Sequence, residues 1–183
     1  MENKPVKSSS KTTPSKARGR ASSERTQLDP ARWVDTAIDL LASEGVTGLR
    51  VEVLAKRCGV TKGSFYWHFK DRQALLDAVL LRWQEGRIRD IEKTTSVSPG
   101  KERDQLHFAI EVYGAVRNRK GMAIELAVRD WARHDAHAAR IVEAVDLYRL
   151  DCTRKLFVAA GMSDAEAKSR SLLLYACVFG LSL

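Results

Sequence analysis

Residues 59–76, GVTKGSFYWHFKDRQALL, decide the fold of this chain. A Gly-Val-Thr sequence is followed within a few residues by four aromatic rings and one histidine, which occupy residues 65–69. A packed core explains part of this cluster, because Phe65 and Phe69 lie four residues apart and share a helix face. It does not explain the rest, since basic residues flank the rings on both sides. We therefore expect a cluster with one buried face and one binding face.

Periodicity on either side of Gly59 predicts a helix-turn-helix. Apolar residues at helical spacing predict one helix at about 51–58, and a short helix follows at about 62–68 with Thr61 as its N-cap. Gly59 supplies the sharp turn between them. Because two rings face inward, the exposed side holds the remaining polar and aromatic residues: Lys62, Ser64, Tyr66, Trp67 and His68. Such a surface suits the phosphates and base edges of DNA.

The rest of the chain carries helical patterns and no convincing alternation of period two, so we predict an all-α fold. Asp29 and Asp71 are placed to cap further helices, at about 30–43 and 72–92. A Thr-Thr-Ser-Val-Ser-Pro-Gly stretch at 94–100 then breaks the pattern. The remaining helices are predicted at about 103–118, 121–134, 137–160 and 163–183. On the third of these we predict one apolar stripe: Ile141, Val145, Tyr148, Cys152, Leu156 and Ala159.

Composition limits the class of protein. The 183 residues are 44% hydrophobic and 30% charged, which suits a soluble globular protein. The formal net charge of +8 favours an anionic partner, either nucleic acid or a membrane surface. Three widely spaced cysteines without a CxxC motif indicate no disulfide framework and no cysteine metal site. Together with a polar N-terminus that lacks an apolar signal segment, they predict a cytoplasmic protein.

Three segments are expected along the chain. Residues 1–28 hold seven basic residues, two acidic ones and almost no large apolar side chain, so we expect a disordered basic arm. Residues 29–92 form the helix-turn-helix domain, and residues 101–183 form a second helical domain. The run 172–181 is apolar nearly all round but too short to cross a bilayer, so a core helix and a helix of a second subunit should cover it. The chain stops at Leu183 without a polar tail, which is typical of a truncated chain.

The stretch G-V-T-x-G-x-F-Y-x-H-F, followed by a capped helix with Ala-Leu-Leu at 74–76, closely resembles the DNA-binding domain of TetR-type transcriptional repressors. The upstream segments 37–45 and 54–60 fit the same pattern, so the resemblance covers about residues 31–81. It implies a three-helix module that binds operator DNA and a larger helical domain that dimerises and binds a small effector. In this family, effector binding usually changes the spacing of the two reading heads and releases the DNA.

The resemblance also implies roles for individual residues. Thr61, Lys62, Ser64 and Tyr66 lie where the family contacts DNA, and His68 lies where it contacts the phosphate backbone. We predict base-edge contacts for Lys62, Ser64 and Tyr66, and a close approach to the groove at the small residue Gly63. Phosphate contacts are predicted for a second set: Arg50, His68, Lys70 and Arg72. The chain departs from the family at Arg50, where a capping Ser or Thr is common, and at 71–73, where Asp-Arg-Gln replaces Ser-Lys-Glu.

The second domain offers one cluster that can line an effector pocket. Arg129 and Trp131 belong to a group of polar residues around one aromatic side chain, and Tyr148 lies on the following long helix. The alternative is a salt-bridged helix surface with Trp131 buried. The apolar run 172–181 and the family resemblance both indicate a homodimer formed through the last two helices of each subunit.

Other functions find little support in the motifs. The chain has no nucleophile elbow, no phosphate-cradling glycine loop and no HExxH motif. His134 and His137 could ligate a metal together with Asp130 one turn earlier, but a fourth ligand is not visible, so we expect no metal and no cofactor. We predict a sequence-specific DNA-binding regulator, a repressor that a small molecule releases from its operator. The alternatives are a non-specific basic nucleic-acid-packaging protein and an all-helical enzyme.

Overall fold

The computed structural model describes residues 29–114 and 119–180. Within these ranges it consists of eight α-helices, one turn of 3-10 helix at Val46–Gly48, and no strand. The helices are α1 Pro30–Glu44, α2 Val51–Cys58, α3 Lys62–Phe65, α4 Arg72–Thr95, α5 Glu102–Gly114, α6 Arg119–Ala132, α7 Ala136–Ala159 and α8 Asp164–Gly180. The prediction of an all-α chain with an N-terminal helix-turn-helix is confirmed. The predicted arm, residues 1–28, and the predicted helix ends at 115–118 and 181–183 lie outside the described residues.

Local interactions start α1 and α4 and end α2 where the sequence predicts. The Asp29 carboxylate accepts from the amide of Ala31 at 3.0 Å, and the Asp71 carboxylate accepts from the amide of Ala74 at 2.9 Å. Gly59 ends α2 with φ at +70°, a conformation that favours glycine. The chain can therefore turn sharply from α2 into α3.

The third helix is shorter than predicted. It ends at Phe65 rather than near residue 68, and the amides of His68 and Phe69 both donate to the Phe65 carbonyl at 3.0 Å. Thr61 occupies the N-cap position, but its side chain makes no capping hydrogen bond, so that prediction is wrong. A helix this short gains little from its own hydrogen bonds, and packing of its rings on α1 holds it in place instead.

A single apolar core joins the N-terminal helices to the C-terminal ones. Trp33 and Leu40 of α1 are buried in the same cluster as Val128 and Trp131 of α6 and Val145 of α7. α6 packs on α1, while α7 packs on α4, α6 and α8. The helix-turn-helix module is therefore attached directly to the helices that follow it.

The buried stripe of α7 differs from the predicted one. Val145 and Leu156 are buried as expected, but Tyr148 and Ala159 are exposed. Two polar residues, Arg149 and Thr153, are buried on this helix. The stripe is rotated because acidic side chains on α6 and α7 provide partners for a buried arginine, which apolar periodicity does not reveal.

No helix among residues 29–114 and 119–180 is long and apolar enough to cross a membrane.

Candidate nucleic-acid interface

The aromatic cluster of α3 has an inner and an outer side. Phe65 is fully buried, lies edge-on to Trp33 with ring centroids 5.4 Å apart, and stacks on Phe69 at 5.3 Å. Tyr66 and Trp67 point outward, with exposed fractions of 53% and 80%. Because the inner rings fix the position of α3, the outer rings and the first residues of the helix form a rigid, exposed surface.

Most residues of the predicted DNA contact set lie on this surface. Thr61, Lys62, Gly63 and Tyr66 are exposed, and Ser64 is half-buried. Arg50 and Lys70 are also exposed, on the connections that precede α2 and α4. Trp67 was not in the predicted contact set, although its sequence position on the outer side gave a signal for it.

His68 differs from the other predicted contacts because its ring is turned partly inward. The residue is half-buried, and its Nε2 atom is buried without a hydrogen-bond partner among the described residues. Such an atom is costly to leave unpaired. Its role as a phosphate contact stays a prediction.

An acidic residue also lies at this surface. Glu52, in the first turn of α2, forms an ion pair with the ammonium of Lys62 at the start of α3. The hydrogen bond from Lys62 holds the pKa of Glu52 below its usual range, and the same bond raises the pKa of Lys62. Glu52 was not among the predicted site residues, although it is the only acidic residue between positions 50 and 70.

Arg72 has internal partners. Its Nε donates to the Leu49 carbonyl at 2.6 Å, and its Nη2 donates to the Val46 carbonyl at 2.8 Å. These bonds attach the start of α4 to the connection between α1 and α2. A structural role therefore stands beside the predicted phosphate contact.

A second polar site lies among α6, α7 and α8. The guanidinium of Arg129 binds both oxygens of Asp146, at 2.6 and 2.8 Å, and it binds Glu125 at 2.9 Å. Burial alone would lower the pKa of Arg129, but the neighbouring Asp146 and Glu125 carboxylates outweigh it and raise that pKa. The arginine is therefore charged at any ordinary pH.

Arg149 and Tyr175 complete this ionic cluster, which comprises Glu125, Arg129, Asp146, Arg149 and Tyr175. The Tyr175 hydroxyl donates to Asp146 at 2.7 Å, and the Arg129 guanidinium lies 4.0 Å from the ring centroid of Phe179. Glu125 and Arg149 are only 2% and 8% exposed, and Glu125 Oε2 and Arg149 Nε have no hydrogen-bond partner among the described residues. Arg149 also lines a small, partly open cleft between α7 and α8.

The three residues of the predicted effector pocket lie in different surroundings. Arg129 belongs to the ionic cluster, whereas Trp131 is buried in the apolar core beside α1. Tyr148 is on the surface, where its hydroxyl donates to Glu92 of α4 at 2.9 Å. This hydrogen bond raises the pKa of Tyr148 to about 12. None of the three lines the cleft between α7 and α8.

The last two helices expose large apolar side chains. Leu147 and Val158 on α7 and Leu172 and Leu173 on α8 are all exposed.

Among the described residues, no group of three or more side chains is arranged to hold a metal ion.

The fold and this surface define a helix-turn-helix protein, with the second helix of the motif offering its first residues outward. Residues 34–79 match the family described as "Bacterial regulatory proteins, tetR family". This match confirms the resemblance to the TetR family over the helix-turn-helix module.

Individual relatives agree with this assignment. The tetracycline repressor protein class A from transposon 1721 of Escherichia coli is 34% identical over 142 residues, which are 78% of this chain and 60% of the relative. The class C tetracycline repressor protein of Escherichia coli is 31% identical over 135 residues, or 73% of this chain and 55% of the relative. This chain therefore spans somewhat more than half the length of these relatives. They are named as repressors, not as enzymes.

Solved structures match over a larger share of the chain. A transcriptional regulator from Rhodococcus sp. Rha1 has a TM-score of 0.69 at 22% identity, covering 85% of this chain and 82% of the other. A protein from Saccharomonospora viridis, solved in complex with choline, has a TM-score of 0.70 at 17% identity, covering 84% and 82%. At these identities, the likeness is one of fold.

Proposed function

We propose that this protein is a sequence-specific DNA-binding transcriptional regulator. As a homodimer, it binds a near-palindromic operator through two copies of α3, whose centres lie about 34–36 Å apart or a little more. It acts as a cytoplasmic repressor, and a small-molecule effector bound to the C-terminal helices releases it from the operator.

The observation that carries this proposal is the two-sided aromatic cluster of α3. Phe65 is buried against Trp33 and Phe69 stacks on Phe65, while that packing holds Lys62, Tyr66 and Trp67 outward. A helix that reads base edges must be fixed in orientation and exposed at its first residues, and both conditions hold here.

Binding to DNA from the regulator's own promoter region tests the proposal. The purified protein is titrated against promoter duplexes and random duplexes at two salt concentrations. We expect a preference of about a thousandfold or more for one promoter site. Equal and steeply salt-dependent binding to every duplex would instead favour the packaging protein, for which the net charge of +8 is the supporting observation.

Two charge-matched variants make that test specific to the surface of α3. Lys62→Met removes one positive charge from the predicted base-reading set, and Lys155→Met removes one from an exposed position on α7. Lys62→Met should lower the preference for the promoter site by about tenfold, whereas Lys155→Met should leave it unchanged. Equal effects of the two variants would contradict recognition by α3.

For the effector, we propose a site that involves Arg129, with Trp131 and Tyr148 as further candidates. Arg129 of α6 donates to Asp146 of α7 and to the Tyr175 hydroxyl of α8, and Trp131 of α6 lies in the core shared with α1. A ligand that displaces α6 would therefore also shift α1 of the DNA-binding module. The ligand class is open, since the complex with choline belongs to a protein of only 17% identity.

Operator release by candidate small molecules tests the effector site. A compound that releases the wild type should lose at least about tenfold in potency with Arg129→Lys, which keeps the charge but loses the two-pronged geometry. Arg140→Lys, at an exposed position of α7, is the matched control and should respond like the wild type. Unchanged potency with Arg129→Lys would exclude Arg129 from the site.

The dimer is proposed to form through α7 and α8, because their exposed apolar side chains would be buried in such an interface. Leu172→Glu combined with Leu173→Glu should convert a dimer into a monomer in light-scattering measurements. Leu81→Glu, at an exposed leucine of α4, should leave the dimer intact. A dimer that survives the double substitution would place the interface elsewhere.

A further inference from the structure

A carboxylate lies within the most cationic part of the proposed DNA-binding surface. Glu52 of α2 pairs with Lys62, and both side chains are more than half exposed. Arg50 is close enough to contribute to the lowering of the Glu52 pKa, although less than Lys62. The acidic group is therefore paired with one residue that is predicted to contact DNA and lies within electrostatic reach of a second.

A carboxylate at this place weakens binding to every duplex alike, because the DNA backbone is uniformly negative. An unpaired lysine near DNA has the opposite effect. Its ammonium is a point charge on a flexible four-carbon stem, and it can reach whichever phosphate is nearest. Such a contact adds affinity but carries no sequence information.

The ion pair changes which of these contacts Lys62 can make. Lys62 is the first residue of α3, and the first residues of a recognition helix are those that contact base edges. An ammonium that Glu52 holds there has two further N–H groups to donate, and such donors suit the O6 and N7 acceptors of guanine. The carboxylate itself is held by the short helix α2, which packs on both α1 and α3.

We propose that Glu52 is a specificity-determining residue, which positions Lys62 over the base edges and keeps it from making sequence-independent phosphate contacts. The inference rests on the proposed function, since it requires that α3 faces DNA. It adds an acidic residue to a surface otherwise described by its positive charges.

The test compares the wild type with Glu52→Gln, which keeps the shape of the side chain and removes its charge. The duplex is the one that the wild type enriches from a random library, and a scrambled duplex serves as its partner. For Glu52→Gln we expect tighter binding to the scrambled duplex, with a salt slope steeper by about 0.9. We expect the ratio of the two dissociation constants to fall by about tenfold.

Asp104→Asn is the matched control for the change of net charge. Asp104 is an exposed carboxylate that also pairs with a lysine, Lys101 at 3.7 Å, but it lies on α5 outside the three-helix module. It should change neither the ratio nor the salt slope. An Asp104→Asn effect equal to that of Glu52→Gln would reduce the result to net charge and overturn the inference.

A double-mutant cycle with Lys62→Met separates positioning from direct reading by the carboxylate. If Glu52 acts through Lys62, Glu52→Gln should leave the ratio unchanged once Lys62 is replaced. A loss of discrimination that persists without Lys62 would show that the carboxylate reads a base itself, and the positioning role would be wrong.

The failures of the two proposals are distinguishable. A wild type that enriches no duplex from the library overturns the proposed function together with this inference. A wild type that enriches one duplex, while Glu52→Gln keeps both its ratio and its salt slope, overturns only the role of Glu52. Circular dichroism of each variant confirms that the helical fold is retained.

Discussion

The DNA-binding module and the helices α6–α8 bury different chemistry. Around α3, the buried groups are rings and aliphatic side chains such as Trp33, Leu54 and Phe65. Among α6–α8, the buried groups include Glu125 and Arg149, which are held by an ionic cluster. The stability of an apolar core depends on side-chain volume more than on the identity of each apolar residue. The stability of a buried ion cluster depends on every member, because the loss of one leaves another charge unpaired. The first region should therefore respond to changes of side-chain volume, and the second to the loss of any one charged member.

The largest loss of stability is expected for a substitution in the apolar core around α3. Phe65→Ala removes a fully buried ring that contacts Trp33 and Phe69, and should cost about 3–5 kcal/mol of unfolding free energy. Trp67→Ala, two residues away but highly exposed, should cost less than about 0.5 kcal/mol. Urea denaturation measures both. Similar costs would show that the two sides of the cluster are not distinct.

The ionic cluster should respond nearly as strongly to the loss of one member. Arg129→Met leaves the buried Glu125 with only the longer contact to Arg149 at 3.5 Å, and should cost about 3 kcal/mol. Arg140→Met, at an exposed position, is the control and should have little effect on the unfolding free energy. An unchanged unfolding free energy for Arg129→Met would mean that the ionic cluster contributes nothing to stability. The two regions would then not differ in what stabilises them.

Arg72 lies on the DNA-binding module, but polar contacts hold it, unlike the apolar side chains around α3. Arg72→Ala should cost about 1–3 kcal/mol, because two carbonyls lose a charged donor. If Arg72 also contacts a phosphate, the variant should weaken binding to all duplexes and lower the salt slope by about 0.9.

Lys70→Ala provides the comparison for Arg72, since both residues are predicted phosphate contacts. Lys70 is exposed, so Lys70→Ala should lower the salt slope without a loss of stability. Reduced stability with an unchanged salt slope in Arg72→Ala would leave only the structural role of Arg72.

Helix caps are expected to be equivalent in the two regions, and their effect is the smallest. Asp71 caps α4 and Asp135 caps α7, so Asp71→Ala and Asp135→Ala should each cost about 1 kcal/mol. Asp130→Ala, exposed on α6, is the control and should cost less than about 0.5 kcal/mol. Thermal unfolding measures these differences, and a much larger loss for one cap would show that it has a tertiary role.

The cap at Asp135 also predicts a pH dependence. The hydrogen bond from the Ala138 amide, followed by that from His137, lowers the pKa of Asp135 in the folded protein. A lowered pKa adds stability above the unfolded value of about 3.9, and that stability is lost as the pH falls through the folded value. The difference between wild type and Asp135→Ala should therefore be constant near pH 7 and shrink below about pH 4.

Much of the fold could be predicted from local patterns. Asp29, Asp71 and Gly59 mark helix ends because capping and positive φ depend on neighbouring residues only. The inward and outward sides of the aromatic cluster followed from the spacing of Phe65 and Phe69. The length of α3 was predicted less well, since packing on α1 rather than helix propensity decides where that helix ends.

The candidate sites depended more on contacts between distant residues. Glu52 meets Lys62 across the turn, and Arg72 reaches carbonyls more than twenty residues earlier in the chain. Arg149 is buried because carboxylates from two helices converge on it, which no periodicity in α7 indicates.

The sequence alone thus predicted the helices, several of their ends, the helix-turn-helix and its resemblance to a family, since these depend on short-range spacing and on residue type. Tertiary structure alone decided which charged side chains are paired, buried or offered to a partner. The physical reason is that the free energy of a charge depends on the groups around it in space, and those groups come from distant parts of the chain.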